Sequence, residues 1–215
     1  LRVHSEYSVV DSIVRIDALV AAAKSDRQPA VAITDLGNIF GWIKFYKAAR
    51  AAGVHPILGA DVWITNEVDR DKAHRLLLIA CNQAGYLRLC ELLSRAWLEN
   101  SWRERGEIRR DWLESTDGLI ALSGAAQGDV GEALLAGRAE LATQLALDWA
   151  RRFPNAFYLE LQRVGRPTDE SHVRLAAALG ARLGLPVVAT NPVQFVKPDE
   201  YAAHEARVCI AEGEL

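Results

Sequence analysis

Seven short apolar runs alternate with stretches of helical periodicity along this chain, and few folds accommodate such an alternation. The runs lie, in chain order, at 1–4, 30–33, 57–64, 76–80, 119–122, 157–161 and 187–190. Short continuous apolar runs are typical of strands buried on both faces of a parallel sheet. Strands that alternate with helices favour parallel pairing, in either a closed barrel or an open sheet. No G-x-G-x-x-G or P-loop motif follows any run, so we predict an α/β fold of the seven-stranded β/α barrel type.

The second run lies in the stretch PAVAITDLGNIFG, residues 29–41, and brings a carboxylate to the end of a strand. Asp35 follows the apolar residues almost directly, and Asn38 is expected to cap a helix that ends at Gly53. Proteins of the α/β class place their sites at such strand ends. Asp35 could equally serve only in a turn or a cap, so its role depends on what the other strand ends carry.

Helical periodicity and turn residues predict the remaining elements. Helices are expected at 16–24, 130–135, 141–153, 169–183 and 201–208, and a longer one carries Tyr86, Leu89, Cys90, Leu93 and Trp97 on one face. Asp169 is expected to cap the helix that it begins. The stretch 100–110, rich in Arg and Glu, is predicted to be an exposed excursion.

Composition indicates one globular domain spanning residues 1–215, with half of its residues hydrophobic and 25% charged. The net charge of −3 gives no whole-domain attraction to nucleic acid or anionic membranes. No apolar run approaches the roughly 18 residues that a membrane-spanning helix needs. The three cysteines, Cys81, Cys90 and Cys209, lack metal-ligand spacing, so we expect reduced core thiols in a cytoplasmic protein. Because the chain contains no Met, we expect it to be a fragment of a longer polypeptide.

Polar residues that could carry chemistry recur near the ends of the predicted strands. They are His4 with Asp11, Asp35, Asp61, His74, Glu160 and Asn191. In a barrel these side chains would converge on one mouth. Clusters of His and carboxylates are what multi-metal phosphoesterases use to bind divalent ions and generate hydroxide.

Seven ordered blocks give the chain a family resemblance. The blocks are RVHSEYSVVDS, AITDLGNIFG, PILGADVWI, HRLLLIACNQAGYLRL, GLIALSGAAQGDVG, FYLEL and LPVVATNPVQF. Together they resemble the PHP (polymerase and histidinol phosphatase) domain, and in particular the form found at the N-terminus of bacterial replicative DNA polymerases. The resemblance implies a distorted seven-stranded β/α barrel with metal ligands at the C-terminal ends of its strands.

Several positions depart from the pattern of the metal-binding members. Side chains that cannot serve as the expected ligands stand at Arg2, Leu36, Ala125, Val164, Pro192 and Gln194. Asp61 also replaces a glutamate and is one methylene shorter. The departures imply a degenerate site, with no catalytic residue and no bound metal in this domain.

The remaining positions of the implied site are vestigial: His4, Asp11, Asp35, Asp61, His74 and Asn191. Arg2 is predicted to supply the charge that the metals supplied, by pairing with Asp35 or Asp61, because acids that lose their cations repel one another. More ordinary roles stay open. His4 and Asp11 could hydrogen-bond within their loop, His74 and Glu160 could be structural, and three further histidines, His55, His172 and His204, match no motif.

The favoured function is a non-catalytic domain of a DNA polymerase, which supports the parent chain and docks its proofreading exonuclease subunit. That partner, the contact with DNA through the parent, and the Mg²⁺ of the polymerase active site outside this fragment are all implied by the resemblance. The alternative is an active metal-dependent PHP phosphoesterase: a 3′–5′ exonuclease, a pyrophosphatase or a histidinol-phosphatase-like enzyme. An unrelated metal-free barrel is the third possibility considered.

Overall fold

The computed structural model describes residues 1–213, which form mixed α/β structure in two compact units. The first unit contains residues 1–60 and the residues from Pro192 onward, and the second contains Asp61–Asn191. The strands are β1 (Arg2–Val3), β2 (Ala30–Ile33), β3 (His55–Ile64), β4 (His74–Ala80), β5 (Ser101–Trp102), β6 (Arg105–Ile108), β7 (Leu119–Leu122), β8 (Phe157–Gln162), β9 (Val187–Thr190) and β10 (Pro192–Val193). The helices are α1 (Ile16–Ser25), α2 (Trp42–Ala52), α3 (Gln83–Glu99), α4 (Asp129–Leu135), α5 (Ala139–Arg152), α6 (Asp169–Leu183) and α7 (Tyr201–Glu212).

The first unit is built on two parallel strand pairs. β2 pairs with the first part of β3, from Ala30 opposite His55 to Ile33 opposite Leu58. β1 pairs with β10 through Arg2 and Pro192, so the N-terminal strand is held by residues distant in sequence. α1 and α2 pack on each other, and α2 buries Phe45 and Ala49 on the side opposite its charged residues.

The second unit contains a multi-stranded sheet in the order β5-β6-β3-β4-β7-β8-β9. Helices α3 and α6 pack on its central strands β4, β7 and β8, most of whose residues are buried and apolar. α5 packs on α4 and buries Ala142, Ala146 and Trp149 at helical spacing. The mixed α/β class is as predicted, and closure of the strands into a barrel stays a prediction, as does the single domain over residues 1–215.

Strand direction departs from the prediction at one pair. β4 and β7 run antiparallel, with Leu77 opposite Leu122 and Ala80 opposite Leu119. The connection between these strands contains α3 and the β5–β6 hairpin rather than one crossover helix. Because an apolar run has no intrinsic direction, the expectation of purely parallel pairing was wrong here.

The stretch 100–110 is only in part the exposed excursion that its charge predicted, because residues 101–104 are exposed and residues 106–108 are buried. β5 and β6 form a hairpin whose turn residues, Arg103 and Glu104, have φ of 44° and 63°, and β6 pairs in parallel with β3. Glu107 is buried there because Arg70 and Arg105 pair with it. Arginine side chains thus make the burial of this acidic strand possible.

Several smaller expectations were also wrong. Asn38 accepts a hydrogen bond from the amide of Phe40, in a turn before α2, and does not cap that helix. Asp169 accepts from the amides of Val164 and Arg166, in the loop that precedes α6. Trp97 does not share the face of Leu89 and Leu93 as expected: it is nearly half exposed, and the buried face of α3 follows Gly85, Leu89, Leu92, Leu93 and Ala96.

The cysteines are free thiols, as expected, but they are not core residues. Cys81 is exposed, and Cys90 and Cys209 are partly exposed. Within residues 1–213, every helix is too short or too polar to cross a membrane.

Candidate functional site

His4 and Asp11, two of the predicted site residues, form a hydrogen-bonded pair in the first unit. The Nδ1 atom of His4 lies 2.8 Å from Oδ2 and 3.0 Å from Oδ1 of Asp11. The amide of Gln194 donates to Oδ2 of the same carboxylate at 3.0 Å, and the ring of His204 donates to the backbone carbonyl of Asp11. Both oxygens of Asp11 therefore accept hydrogen bonds from this chain.

Asp35 is buried beneath the same loop and is held by two serines. Its Oδ1 accepts from the amide of Ser5 at 2.5 Å and from the hydroxyl of Ser8 at 2.8 Å, and its Oδ2 accepts from the hydroxyl of Ser5 at 2.9 Å. Burial raises the pKa of Asp35, and the bonds from Ser5 and Ser8 oppose that rise. The residue thus ties the strand end of β2 to the loop that follows β1.

Asp61 pairs with Arg75 inside the second unit. The Nε atom of Arg75 lies 3.1 Å from Oδ1 of Asp61, and its Nη2 contacts Oδ2, so the guanidinium grips both carboxylate oxygens. Asp61 is fully buried and Arg75 nearly so. This two-point contact is the strong geometry for an arginine and a carboxylate. It places a fixed positive charge on an acid that the PHP pattern assigns to metal binding.

Trp63 holds the guanidinium of Arg75 in place. The guanidinium carbon lies 4.4 Å from the centre of the Trp63 ring, and that of Arg105 lies 5.3 Å from the same ring. Arg105 in turn pairs with the buried Glu107 at 2.8 Å. The face of a tryptophan ring attracts cations, so these contacts stabilise two arginines inside the sheet.

His74 begins β4 and lies apart from this pair. Its Nδ1 atom is 3.3 Å from Oε2 of Glu132, which is within ion-pair range. The geometry does not meet that of a hydrogen bond, so the buried Nδ1 has no hydrogen-bond partner. The residue lines a cleft of about 540 Å³ together with Arg110, Arg138 and Leu141.

Glu160 is fully buried and accepts hydrogen bonds from polar side chains of its own and the neighbouring strand. It accepts from the hydroxyl of Thr190 at 2.5 Å and from the amide of Gln162 at 3.1 Å, and its own backbone amide donates to the hydroxyl of Ser123. Gly124 follows Ser123 with φ of +77°, and a Cβ atom there would lie 2.1 Å from the carbonyl oxygen of Arg75. The Ser-Gly-Ala motif therefore has a packing role in this chain.

The remaining predicted positions are spread over both units. Asn191 is exposed after β9, whereas Arg2 is buried with 3% of its surface exposed. Asp35 takes its hydrogen bonds from Ser5 and Ser8, and the pairing of Arg2 with Asp61 stays a prediction. Leu36 and Val164 are partly exposed, Ala125 is buried, and Pro192 lies in β10. Burial lowers the pKa of His172, and His55 is exposed.

Sequence reasoning missed the residues that hold these acids. Arg75 lies directly before the apolar run at 76–80, within the strand that His74 begins, and a charge at that place was a usable signal for a buried ion pair. Ser5 and Ser8 lie in a polar loop where nothing local marks them as partners of Asp35. Gln194 was noted only as a lost ligand, although it bonds Asp11.

The donor set does not fit the metal centre that the family resemblance implies. Among residues 1–213, no group of three or more His, Cys, Asp or Glu side chains is placed to hold a metal ion. Asp61 is gripped by a guanidinium, and Asp35 and Asp11 accept hydrogen bonds from serines, His4 and Gln194. The arrangement can link loops to strands through hydrogen bonds that carboxylates accept.

Sequence comparisons match the chain to a protein family and to similar proteins from several bacteria. The PHP domain profile matches residues 1–164. The chain is similar to DNA polymerase III subunit alpha from Neisseria meningitidis (51% identity over 217 residues), Pseudomonas aeruginosa (46% over 214) and Escherichia coli K12 (42% over 214). These alignments cover 99% of this chain but only 18–19% of each relative, so the chain spans about a fifth of their length.

Solved structures agree on the fold. An amidohydrolase from Chromobacterium violaceum superposes with a TM-score of 0.59, over 96% of this chain and 95% of that one. A protein from Bifidobacterium adolescentis, assigned as a metal-dependent phosphoesterase, superposes with a TM-score of 0.53 over the same shares. Both are 14% identical to this chain, so they speak for the fold alone. Because the family profile covers more than half of the sequence, the chain belongs to the PHP domain family.

Proposed function

We propose that this chain is the N-terminal PHP domain of a replicative DNA polymerase subunit, and that its metal site is degenerate. In this role the domain supports the parent chain and docks the proofreading exonuclease subunit. DNA synthesis, and the Mg²⁺ that it requires, belong to parts of the parent outside residues 1–215. The alternative, an active metal-dependent phosphoesterase, is what the experiment below would reveal.

The observation that carries the proposal is the bidentate contact between Arg75 and Asp61. A buried guanidinium and a divalent cation compete for the same carboxylate oxygens, and the guanidinium is part of the chain. The acids of the first unit are bonded in a comparable way by Ser5, Ser8 and Gln194. Acids that are bonded by their own chain favour a structural role over hydrolysis.

The sequence relatives support the assignment to a polymerase. They are alpha subunits of DNA polymerase III, and each alignment covers 99% of this chain. A polymerase whose PHP domain has no hydrolytic site of its own needs a separate proofreading exonuclease. That need is why we propose the exonuclease subunit as the docked partner.

The test compares two properties of one preparation of the full-length parent chain. With Mn²⁺ present and no exonuclease subunit, hydrolysis of the 3′ end of single-stranded DNA should be absent. Activity that His4→Ala abolishes, and that the exposed-site control His55→Ala leaves intact, would establish the phosphoesterase alternative. Calorimetric titration with the exonuclease subunit should give saturable heat. If it gives none, the docking role is wrong and only structural support remains.

A further inference from the structure

Two arginines from different strands lie against one ring, that of Trp63 in β3. The guanidinium carbon of Arg75, in β4, lies 4.4 Å from the centre of that ring, and that of Arg105, in β6, lies 5.3 Å from it. Each arginine also contacts a buried carboxylate, Asp61 for Arg75 and Glu107 for Arg105. Because β3 lies between β4 and β6 in the sheet, Trp63 connects the ion pair on one side of its strand with the ion pair on the other.

Glu107 is held in the hairpin that residues 101–108 form, the β5–β6 hairpin. It is fully buried and lies opposite Trp63 in the parallel register of β6 and β3. Arg105 donates to one of its carboxylate oxygens at 2.8 Å, and Arg70 donates to the other at 3.4 Å. A buried carboxylate that loses its cationic partners carries a large desolvation penalty. Glu107 and its arginines are therefore expected to stay together while the hairpin is closed, and to separate when it opens.

A second set of contacts connects the exposed end of the β5–β6 hairpin with the loop before β4. The indole nitrogen of Trp102 donates to Asp71 at 2.9 Å, and the guanidinium of Arg103 lies 2.9 Å from the other oxygen of the same carboxylate. Arg70 lies over the ring of Trp102, with its guanidinium carbon 5.0 Å from the ring centre. Because Arg70 and Asp71 lie shortly before Arg75 in the chain, closure of the hairpin also holds the start of β4 in place.

The β5–β6 hairpin has the features of a segment that opens locally. Residues 101–104 are exposed, and Arg103 and Glu104 have φ of 44° and 63°, in the left-handed region that residues with a side chain adopt at a cost. β5 has two residues and lies at the edge of the sheet, and β6 pairs with β3 at two positions. Short edge strands with exposed backbone belong to the part of a protein that opens most readily.

We propose that the β5–β6 hairpin is a strap for the Arg75–Asp61 pair: its closure holds the guanidinium on the carboxylate, and its local opening loosens that contact. In the closed state, Arg105 and Glu107 keep the ring of Trp63 beside Arg75. In the open state, the ring loses these neighbours, and the loop before β4 loses its contacts with the hairpin. Because coupling between two sites is reciprocal, breaking the Arg75–Asp61 contact must favour opening of the hairpin by the same factor. The coupling lies within the second unit and needs no partner subunit.

Hydrogen exchange of the full-length parent chain, measured by mass spectrometry, tests the strap in both directions. In Arg75→Met, exchange in residues 101–108 should become at least about tenfold faster relative to exchange in α6 of the same molecule. Arg151→Met is the control, because it removes an arginine from an exposed pair with Asp148 and should leave the hairpin as in wild type. Arg75→Lys keeps the charge without the two-point contact and should give a smaller change in the same direction, so the test still works if Arg75→Met does not fold.

The reverse direction starts from the hairpin. Arg105→Met removes the guanidinium that joins Glu107 to the ring of Trp63, and exchange in β4, on the far side of β3, should become about tenfold faster. Arg109→Met is the matched control, since Arg109 directly follows β6, is about half exposed and pairs with Asp111. It should leave exchange in β4 as in wild type.

Three results would overturn the strap. If the hairpin exchanges like wild type in both Arg75→Met and Arg75→Lys, the hairpin and the ion pair are independent. If Arg105→Met opens the hairpin and leaves β4 as in wild type, the coupling fails in the direction that reciprocity requires. If Arg109→Met affects β4 as strongly as Arg105→Met does, the effect comes from the edge of the sheet and not from Trp63.

Discussion

Arg75 and Asp61 are two opposite charges buried next to each other in the sheet, and each depends on the other. Removing water from an isolated carboxylate costs several kcal/mol, and a bidentate contact with a guanidinium offsets much of that desolvation penalty. Trp63 adds a cation–π contact at 4.4 Å. The effect of the pair on the free energy of unfolding is therefore expected to be largest when one partner is removed and the other charge stays buried.

Arg75→Met should lower the free energy of unfolding by about 3–5 kcal/mol, because the buried Asp61 then loses the guanidinium that contacts both of its carboxylate oxygens. Arg151→Met is the matched control. It removes the same side chain from an exposed pair with Asp148, and it should cost less than about 1 kcal/mol. Urea unfolding followed by tryptophan fluorescence measures both. Losses of equal size would mean that the Arg75 pocket is open to water.

Asp35 should make stability depend on pH in the opposite sense to an ordinary surface acid. Burial raises its pKa above the usual 3.8, so the folded state keeps the proton to higher pH than the unfolded state does. Stability then falls as pH rises from about 3.8 through the raised pKa, and stays level above it. Asp35→Asn can keep the bond from the Ser5 amide and should remove that fall. Unfolding free energies measured from pH 3.5 to 8 check this, and parallel curves for the two proteins would contradict it.

At the scale of elements, the start of α3 is fixed by a contact between two glycines. The side chain of Asn82 accepts from the amide of Gly85 at 3.0 Å, and the amide of Cys81 donates to the carbonyl of Gly118 at 2.8 Å. A Cβ atom on Gly85 would lie 1.9 Å from that same carbonyl oxygen. The helix therefore approaches Gly118, the residue before β7, more closely than a residue with a side chain at position 85 would allow.

Gly85→Ala should destabilise the fold although alanine favours helix by about 1 kcal/mol relative to glycine. The new methyl group meets backbone, which cannot move away without shifting α3 or β7, and overpacking of this kind costs roughly 1–3 kcal/mol. Ser94→Ala, at an exposed position of the same helix, should change stability by no more than about 0.5 kcal/mol. Thermal unfolding of both variants tests the idea, which fails if Gly85→Ala is neutral or stabilising.

At the scale of the whole molecule, the acids and histidines of the PHP pattern are bonded to their own chain. Two of them, Asp11 and Asp35, take part in loop-to-strand hydrogen bonds in the first unit. Asp61 belongs to an ion pair and His74 to a contact with Glu132 in the second. A divalent cation would have to displace these bonds before it could bind.

Addition of 1 mM Mn²⁺ should therefore leave the melting temperature of the chain unchanged. A site with a dissociation constant a hundredfold below the metal concentration would add about 2.7 kcal/mol of stability, which a melting experiment detects easily. The same measurement on His4→Ala gives the control, since a metal effect that depends on this site would vanish with it. Two bound ions per chain in metal analysis would contradict the degenerate site.

Local patterns in the sequence determined much of the fold. The strands at 30–33, 119–122 and 187–190 lie where their apolar runs predicted them, and Gly53 ends α2 as expected. Residues that depart from the motifs of the family, such as Leu36, Ala125 and Gln194, were also visible in the sequence, because a departure from a motif is a property of one residue. An apolar run and the glycine or proline that ends an element are local features, so they can be recognised in a single sequence.

Contacts between distant residues were decided only by the tertiary structure. The antiparallel direction of β4 and β7, the pairing of β1 with β10, and the choice of Arg75 as the partner of Asp61 each join segments that are separated along the chain. An apolar run does not reveal in which direction its strand pairs, and the sequence does not reveal which donor the fold brings next to a buried acid. Stability depends on such pairings through burial and desolvation, and these quantities exist only once the chain is folded.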